Sequence, residues 1–305
     1  MSLDPQARAV LEAIPTGEVD YDALPLAALR QGFDAMGAAA ARPPVAEVAE
    51  LRLPGRGGPV PARLYRPEIR AGLPVLAYFH GGGFVTGSLE SHDPLCRSLA
   101  RASGAAVLSV DYRRAPEHPH PAASDDCFDA VRAVADGLVP HADGTRIAVA
   151  GDSAGGNLAA VTALRCRDEA GPALRRQILL YPVLDRRFDT ASYLENGEGY
   201  LLSRSMMQWF WRQYLANERD AGDARACPLR AASLSGLAPA TVVTAEYDPL
   251  RDEGEAYAAR LRAAGVPTEL ERQEGMIHGF VSFEGIDRGR EVVAAVGATL
   301  RQALA

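Results

Sequence analysis

The chain has 305 residues, of which 48% are hydrophobic and 23% charged, and these are the proportions of a globular protein rather than of a disordered, collagen-like or coiled-coil chain. All 32 basic residues are arginine, and 39 acidic residues give a formal net charge of -7. The absence of lysine excludes Schiff-base and pyridoxal-phosphate enzymes, lysine-containing phosphate loops and Ser-x-x-Lys hydrolases. The acidic balance argues against nucleic acid as a partner.

The amino-terminal sequence lacks a basic segment followed by an apolar stretch, so we expect no signal peptide. The apolar stretch 147–164 is interrupted by Asp152 and Asn157, and no stretch reaches the roughly 18 apolar residues of a membrane span. The four cysteines are 31, 39 and 61 residues apart, without the close pairs of zinc sites or redox dithiols. We therefore predict a cytoplasmic protein with reduced core thiols, no metal and no membrane span.

The first elements in chain order are two short helices, predicted around residues 7–14 and 23–36 from apolar residues at helical spacing. The pattern changes after them. Alternating apolar residues at 45–53 and 60–65 flank the glycine-rich turn 54–58 and predict an antiparallel hairpin.

Short, nearly continuous apolar segments then alternate with segments of helical periodicity. This pattern is typical of a mostly parallel sheet covered by helices on both faces, which is a doubly wound α/β fold. The predicted strands are 75–79, 105–110, 147–150, 178–181, 241–244 and 268–273. The predicted helices are 93–102, 125–135, 155–167, 252–264 and 288–304. The segment 189–221 breaks the alternation with an aromatic helix at 203–215, which we expect to lie over the sheet edge.

The sequence Gly151-Asp-Ser-Ala-Gly155 joins a predicted strand to a predicted helix. In this context a Gly-x-Ser-x-Gly turn forces strained backbone angles on Ser153 and lifts its hydroxyl above the sheet. The helix beginning at Ala154 would direct free N–H groups and its positive end to the place where an oxyanion develops. Taken alone, the pentapeptide also fits a glycine-rich turn that binds a phosphate or nothing.

A second glycine-rich segment, His80-Gly-Gly-Gly-Phe84, directly follows the strand predicted at 75–79. Consecutive glycines leave backbone N–H groups free to donate to one anionic oxygen, so with the N–H of Ala154 they would form an oxyanion hole. The alternative is a flexible surface loop, which the apolar residues on both sides disfavour. We expect His80 to brace the loop rather than to act as the base.

A serine nucleophile needs a base, and the base needs an orienting acid. We predict His278 as the base because it follows the last predicted strand, at the carboxyl edge where sites form in open α/β folds. Solvated or structural roles are expected for the histidines of polar or proline-rich loops, which are His92, His118, His120 and His141. Asp248 is the predicted acid because Pro249 biases its backbone away from helical angles at a strand end; Glu246 and Asp252 are its competitors.

The chain order Ser153, Asp248, His278 is that of α/β hydrolases. With this order, five motifs make the sequence similar to the bacterial hormone-sensitive-lipase family of carboxylesterases, in its Gly-Asp-Ser-Ala-Gly branch. The motifs are His80-Gly-Gly-Gly83, Asp111-Tyr-Arg-Arg-Ala-Pro-Glu-His118, Gly151-Asp-Ser-Ala-Gly-Gly156, Asp248-Pro-Leu-Arg-Asp252 and His278-Gly-Phe280. The resemblance covers about residues 45–305. It implies an α/β-hydrolase fold, a triad of Ser153, Asp248 and His278, and oxyanion donors at Gly82, Gly83 and Ala154.

The resemblance also implies a small helical cap. We accordingly expect an amino-terminal cap segment at 1–45, a catalytic domain formed by 46–188 and 222–305, and a cap insertion at 189–221. Residues predicted to line a substrate pocket, each of which also fits simple packing of the cap, are Phe84, Met206, Met207, Trp209 and Phe210. The sequence departs from the family pattern at Arg114 and His120, where apolar residues are usual, and at Cys227-Pro228, where Ser-Pro is usual.

The activity that the resemblance implies is cofactor-independent hydrolysis of short- to medium-chain acyl esters through an acyl-enzyme. The expected partner is a small-molecule ester, and the resemblance is compatible with a homodimer. Two alternatives stay open at this point. One is an amide or lactone hydrolase with the same triad, and the other is a ligand-binding protein on a disabled hydrolase scaffold.

Overall fold

The computed structural model describes residues 2–13 and 20–305. Within this part of the chain, eight strands form one sheet in the order β1-β2-β4-β3-β5-β6-β7-β8. The strands β1 to β8 are Glu47–Leu53, Val60–Arg66, Leu73–Phe79, Ala106–Val110, Ala142–Asp152, Leu174–Leu180, Ala240–Tyr247 and Thr268–Ile277. The helices α1 to α9 are Pro5–Glu12, Leu26–Ala39, Asp93–Ser103, Ala122–Ala135, Ala154–Asp168, Ala191–Asn196, Arg204–Tyr214, Arg251–Ala263 and Asp287–Ala303.

The sheet is mixed at one end and parallel over the rest. β1 pairs with β2 and β2 with β4 in antiparallel register, whereas β4, β3, β5, β6, β7 and β8 are parallel. Parallel neighbours need a crossover connection, and helices from the intervening segments supply it. The carboxyl ends of these strands therefore lie along one edge, where the segments that carry chemistry begin.

Alternate residues of the central strands contribute to two separate apolar clusters. On β3, Val75, Ala77 and Phe79 belong to the cluster that includes α4, α5 and α8. The intervening Leu76 and Tyr78 belong to the cluster that includes α3 and α9. Because successive side chains of a strand point to opposite faces, helices cover both faces of the sheet. This arrangement explains the continuous apolar character of β3.

The predicted elements correspond closely to those observed. The hairpin of β1 and β2, the parallel strands and the aromatic helix α7 are present, and the predicted fold class is confirmed. Ile14, the last residue of the first predicted helix, lies outside the described residues. No helix in the described part of the chain is long and apolar enough to cross a membrane. All four cysteines are free and buried, in agreement with the predicted core thiols.

Candidate active site

Ser153 forms a one-residue turn between β5 and α5. Its backbone angles are φ 55° and ψ -119°, a region that costs a non-glycine residue about 1–3 kcal/mol. The glycines on either side permit this turn because β5, α5 and β3 approach closely there. A Cβ on Gly151 would collide with the backbone of Gly155, and a Cβ on Gly155 would collide with the carbonyl of Phe79. The sequence therefore fixes Ser153 at the tip of β5.

The side chains of Ser153, His278 and Asp248 form a continuous hydrogen-bonded row. The Oγ of Ser153 lies 3.0 Å from Nε2 of His278, and Nδ1 of His278 lies 2.7 Å from Oδ2 of Asp248. Asp248 is completely buried, and its Oδ1 accepts a hydrogen bond from the N–H of Leu250 at 2.8 Å. Because Nδ1–H donates to the Asp248 carboxylate, the lone pair of Nε2 faces the serine hydroxyl.

The loop after β3 brings its glycines to the same edge of the sheet. Gly82 and Gly83 have φ values of 115° and 60°, which favour glycine. The carbonyl of Gly82 accepts a hydrogen bond from the N–H of Thr86 at 2.8 Å, which closes the loop into a tight turn. Ala154 is the first residue of α5, so its N–H is one of those without an intrahelical acceptor. The backbone N–H groups of Gly82 and Gly83 in this loop and of Ala154 at the helix end are the predicted oxyanion donors.

Known proteins resemble the chain over most of its length. The sequence model of a family described as having the alpha/beta hydrolase fold matches residues 76–282. The carboxylic ester hydrolase LipN of Mycobacterium tuberculosis is 44% identical over 270 residues, which are 83% of this chain and 71% of that protein. An ethyl acetate hydrolase of Pseudomonas putida is 40% identical over 307 residues, or 94% of each chain. The solved structure of a hyperthermophilic esterase from the archaeon Pyrobaculum calidifontis, 44% identical, covers 100% of both chains with a TM-score of 0.92.

The chain belongs to the hormone-sensitive-lipase-like carboxylesterases of the α/β-hydrolase fold. The family and fold predicted from the sequence motifs are thereby confirmed. As a member of this family the chain is a carboxylic ester hydrolase.

The two competitors of Asp248 have other partners in the esterase. Oδ2 of Asp252 accepts a hydrogen bond from the N–H of Ser192 at 2.8 Å, and Asp252 stands in the first turn of α8. The carboxylate of Glu246 accepts a hydrogen bond from the N–H of Gly275 at 2.7 Å. Both carboxylates therefore serve backbone groups of neighbouring segments.

His80 is completely buried at the start of the glycine loop. Its Nδ1 donates to the carbonyl of Gly81 at 2.8 Å, and the hydroxyl of Tyr112 donates to the carbonyl of His80 at 2.7 Å. The Tyr112 ring stacks on the imidazole, with centroids 4.2 Å apart. Burial, helped by the nearby His92, lowers the pKa of His80 to about 3. A neutral His80 thus braces the loop, as the sequence analysis expects.

A buried network below this loop was not anticipated from the sequence. Oδ1 of Asp152 accepts hydrogen bonds from the hydroxyl of Tyr78 at 2.6 Å and from the N–H of Gly81 at 2.9 Å. Nε2 of His92 lies 3.2 Å from the same oxygen. Burial opposes ionisation of Asp152, but His92 and the hydrogen bonds outweigh it and leave the pKa of Asp152 below its ordinary value. An ionised Asp152 therefore ties the residue before Ser153 to the glycine loop.

One sequence signal could have revealed this network. Asp152 ends an otherwise apolar strand, and a carboxylate at such a position must find partners if it is buried. His92 lies in a polar loop segment, and nothing in its neighbours indicates that it is only 7% exposed.

The helix α7 packs directly against the glycine loop. The ring of Phe84 stacks on Tyr214 with centroids 3.7 Å apart and planes 6° apart. A Cβ on Gly83 would collide with the ring of Phe210, so that ring covers the loop. The predicted pocket residues are all partly or fully buried at this junction, and their role in binding substrate stays a prediction: Phe84, Met206, Met207, Trp209 and Phe210.

His120, one of the departures from the family pattern, is a buried residue beside α7. Its Nδ1 lies 3.3 Å from the hydroxyl of Tyr214 and its Nε2 lies 3.3 Å from Oδ2 of Asp223. Burial lowers the pKa of His120, although Asp223 opposes the shift. The polar ring is accommodated because both of its nitrogens have partners. Another departure, Arg114, donates to the carbonyl of Gly87.

Proposed function

We propose that this carboxylesterase hydrolyses short- to medium-chain acyl esters through a covalent acyl-enzyme on Ser153, with His278 as base and Asp248 as the orienting acid. The observation that carries the proposal is the unbroken row of two hydrogen bonds, 2.7 and 3.0 Å long, from a buried carboxylate to an alcohol held at a strained turn. A hydroxyl in such a row is activated for attack without a metal or an organic cofactor.

The reaction proceeds in two halves. Oγ of Ser153 forms a bond to the acyl carbon while its proton passes to Nε2 of His278. The C–O bond to the alcohol then breaks, and the alcohol leaves with that proton. Water enters, gives a proton to His278 and attacks the acyl carbon. Collapse of this second intermediate returns the proton to Ser153 Oγ and releases the carboxylic acid.

Both halves pass through a tetrahedral intermediate with a negative oxygen. The backbone N–H groups of Gly82, Gly83 and Ala154 are the donors that we assign to this oxygen. Removal of one donor from an oxyanion hole typically lowers kcat by about 10²–10³-fold. The ionised Asp152 supports the assignment because its bond to the N–H of Gly81 anchors the loop beside the serine.

The size of the acyl group is proposed from the packing over the site. Ser153 and His278 are each only 8% exposed, and the ring of Phe210 covers Gly83. A compact site of this kind favours short acyl chains over long ones. The relative from Pseudomonas putida, an ethyl acetate hydrolase by name, supports the same preference.

Turnover of p-nitrophenyl esters of increasing acyl length tests the proposal. We expect the highest kcat/KM for short to medium chains and no measurable turnover by Ser153→Ala, while the exposed Ser235→Ala serves as the matched control. A matched anilide should be cleaved far more slowly than the ester. Turnover by Ser153→Ala at the wild-type rate would refute the mechanism, and a preference for long chains would refute the size assignment. The cytoplasmic location and the homodimer stay predictions of the sequence.

A further inference from the structure

Glu253 is a buried carboxyl group to which the mechanism above gives no role. It lies in the first turn of α8, five residues after Asp248, and is 2% exposed. Its Oε1 accepts a hydrogen bond from the N–H of Leu184 at 2.8 Å. Its Oε2 has no hydrogen-bond partner among the residues that the structure describes. Burial of an acidic group in this way is costly, so its position calls for a reason.

Leu184 ends the segment that holds the nucleophile in place. We call residues 180–184 the supporting loop. The carbonyl of Leu180 accepts a hydrogen bond from the N–H of Ser153 at 2.8 Å, and the N–H of Val183 donates to the carbonyl of Ser153 at 3.1 Å. The strained backbone of Ser153 is thus bonded on both sides by the supporting loop. A displacement of this loop would move the serine.

The connection from Leu184 through Glu253 leads to the turn that holds Asp248, the predicted acid. The N–H of Leu250 donates to Oδ1 of Asp248, and the N–H of Arg251 donates to the carbonyl of Asp248 at 3.2 Å. The N–H of Gly254 donates to the carbonyl of Leu250 at 3.2 Å. Asp248 and Glu253 therefore belong to one hydrogen-bonded turn at the start of α8.

We propose that Glu253 is a positioning residue that joins the supporting loop to the first turn of α8 and so fixes the Ser153 hydroxyl relative to the Asp248–His278 pair. The proposal rests on the triad proposed above. Its geometry is specific because the N–H of Leu184, in the supporting loop that bonds the backbone of Ser153, donates directly to Oε1 of Glu253. In catalysis of this kind, a shift of about 1 Å can cost on the order of 10²-fold in rate.

The same surroundings determine the form in which Glu253 acts. Burial raises the pKa of Glu253 well above its ordinary value, the N–H of Leu184 opposes this, and the negative charges of Asp185 and Asp248 raise it further. This shift favours the neutral acid, and in that form Glu253 joins the two segments without placing a second negative charge beside Asp248. Four titratable groups among the described residues surround Glu253. They are Asp185, which follows the supporting loop and pairs with Arg230, Tyr193 on α6, Asp248 before α8, and the thiol of Cys227.

Two substitutions separate positioning from general stability. Glu253→Gln keeps an acceptor for the N–H of Leu184 and resembles the neutral acid, so we expect kcat within about threefold of wild type and an unchanged acid limb of the kcat/KM profile against pH. Glu253→Met fills a similar volume without the acceptor. We expect it to lower kcat by about tenfold or more with KM within about twofold, and to slow labelling of Ser153 by an organophosphate in parallel. Glu255→Gln, which alters a carboxylate paired with Arg272 on the outer side of the same helix, is the matched control.

The opposite results overturn the proposal. A folded Glu253→Met variant with a lowered Tm but wild-type kcat would show that Glu253 serves stability alone. If that variant does not fold, Glu253→Asp is measured instead, because its carboxyl is one methylene short of Leu184; wild-type kcat there would refute positioning. An acid limb moved to lower pH in Glu253→Gln would show that a negative charge on Glu253 acts on the triad, and would overturn the proposal that Glu253 acts through position. Failure of the triad itself would appear separately, as turnover in Ser153→Ala.

Discussion

Asp248 is the proposed orienting acid of the site. Both of its oxygens are hydrogen-bonded, one to the His278 ring and one to the backbone of Leu250, and the side chain is completely buried. In the proposed mechanism this carboxylate holds the imidazole in one tautomer and stabilises the imidazolium that forms during attack. The nearby Asp252 is partly exposed and bonds the backbone of Ser192.

This difference predicts unequal effects of the same substitution. Asp248→Asn should lower kcat by about 10⁴ because the amide NH2 group can donate to Nδ1 and so favour the imidazole tautomer that carries its proton on Nε2. Asp252→Asn keeps an acceptor for Ser192, and kcat should stay within about tenfold of wild type, since the partly exposed ion pair that Asp252 loses, with its chain neighbour Arg251, lies outside the proposed triad. Steady-state kinetics of the two purified variants gives the comparison. A larger loss in Asp252→Asn would mean that the acid has been misassigned.

The backbone conformation of Gly83 and the ring beside it both disfavour a side chain at this position. Its φ is 60°, and a Cβ at this position would collide with the ring of Phe210. Gly83→Ala should therefore displace the loop or the ring and lower kcat by about 10²–10³ through loss of an oxyanion donor. Gly285→Ala is the matched control, because Gly285 has open space around its Cβ position. Equal activity of the two variants would remove Gly83 from the oxyanion hole.

At the scale of elements, the contact between α7 and the glycine loop joins the segment 189–221 to the core of the sheet. Tyr214, the last residue of α7, is completely buried, and its ring stacks on Phe84 directly after the glycines. Stacked aromatic pairs contribute beyond their buried area. The hydroxyl of Tyr214 adds a longer contact, 3.3 Å from Nδ1 of His120.

The ring and the hydroxyl of Tyr214 can be tested separately. Tyr214→Ala should reduce the free energy of unfolding by about 3–5 kcal/mol, as for other large buried rings, and should lower kcat/KM because Phe84 loses its support. Tyr214→Phe keeps the stack and should change stability by no more than about 1.5 kcal/mol. Urea unfolding and ester turnover at 25 °C measure both effects. Equal losses in the two variants would place the effect in the hydroxyl instead of the ring.

At the scale of the whole molecule, Asp152 links the pH dependence of stability to the site. Its pKa in the folded protein is below the ordinary value of 3.8. A lowered folded pKa contributes stability that is fully present above pH 3.8 and is lost as the pH falls through the folded value.

The free energy of unfolding should consequently respond to pH in a defined direction. As the pH is lowered from 5, wild type should lose stability relative to Asp152→Asn once the pH falls below about 3.8. Urea unfolding of both proteins across this range gives the comparison. The opposite result, a wild type that gains stability relative to Asp152→Asn as the pH falls, would mean that Asp152 binds its proton more readily in the folded enzyme than in the unfolded chain.

Local patterns were sufficient to predict most of the fold. The buried strand β3 is a continuous apolar run, and the turn at Ser153 is marked by its glycines. β5 begins at Ala142, five residues before the predicted start at 147. The prediction missed this part of the strand because residues 143–146 are mostly polar and none of them is fully buried. An apolar run cannot indicate such a start, which depends on the pairing of Ala142 with Leu73 in the neighbouring strand.

The supporting contacts of the site were not predictable in the same way. The bond from Gly81 to Asp152 joins residues 71 apart, and that from Leu184 to Glu253 joins residues 69 apart. Such pairs depend on the order of the strands, which the periodicity of each segment does not determine. Glu253 does lie at helical spacing with the buried Tyr257 and Leu261, and this spacing is a signal that sequence reasoning could have used.

Intact-mass analysis and peptide mapping after reaction with an organophosphate p-nitrophenyl ester address the nucleophile itself. We expect one equivalent of p-nitrophenol per chain, a single phosphoryl adduct on Ser153, no adduct in Ser153→Ala and much slower labelling in His278→Ala, because the imidazole activates the hydroxyl. An adduct on another residue, or full labelling of Ser153→Ala, would contradict the assignment of Ser153 as the attacking group.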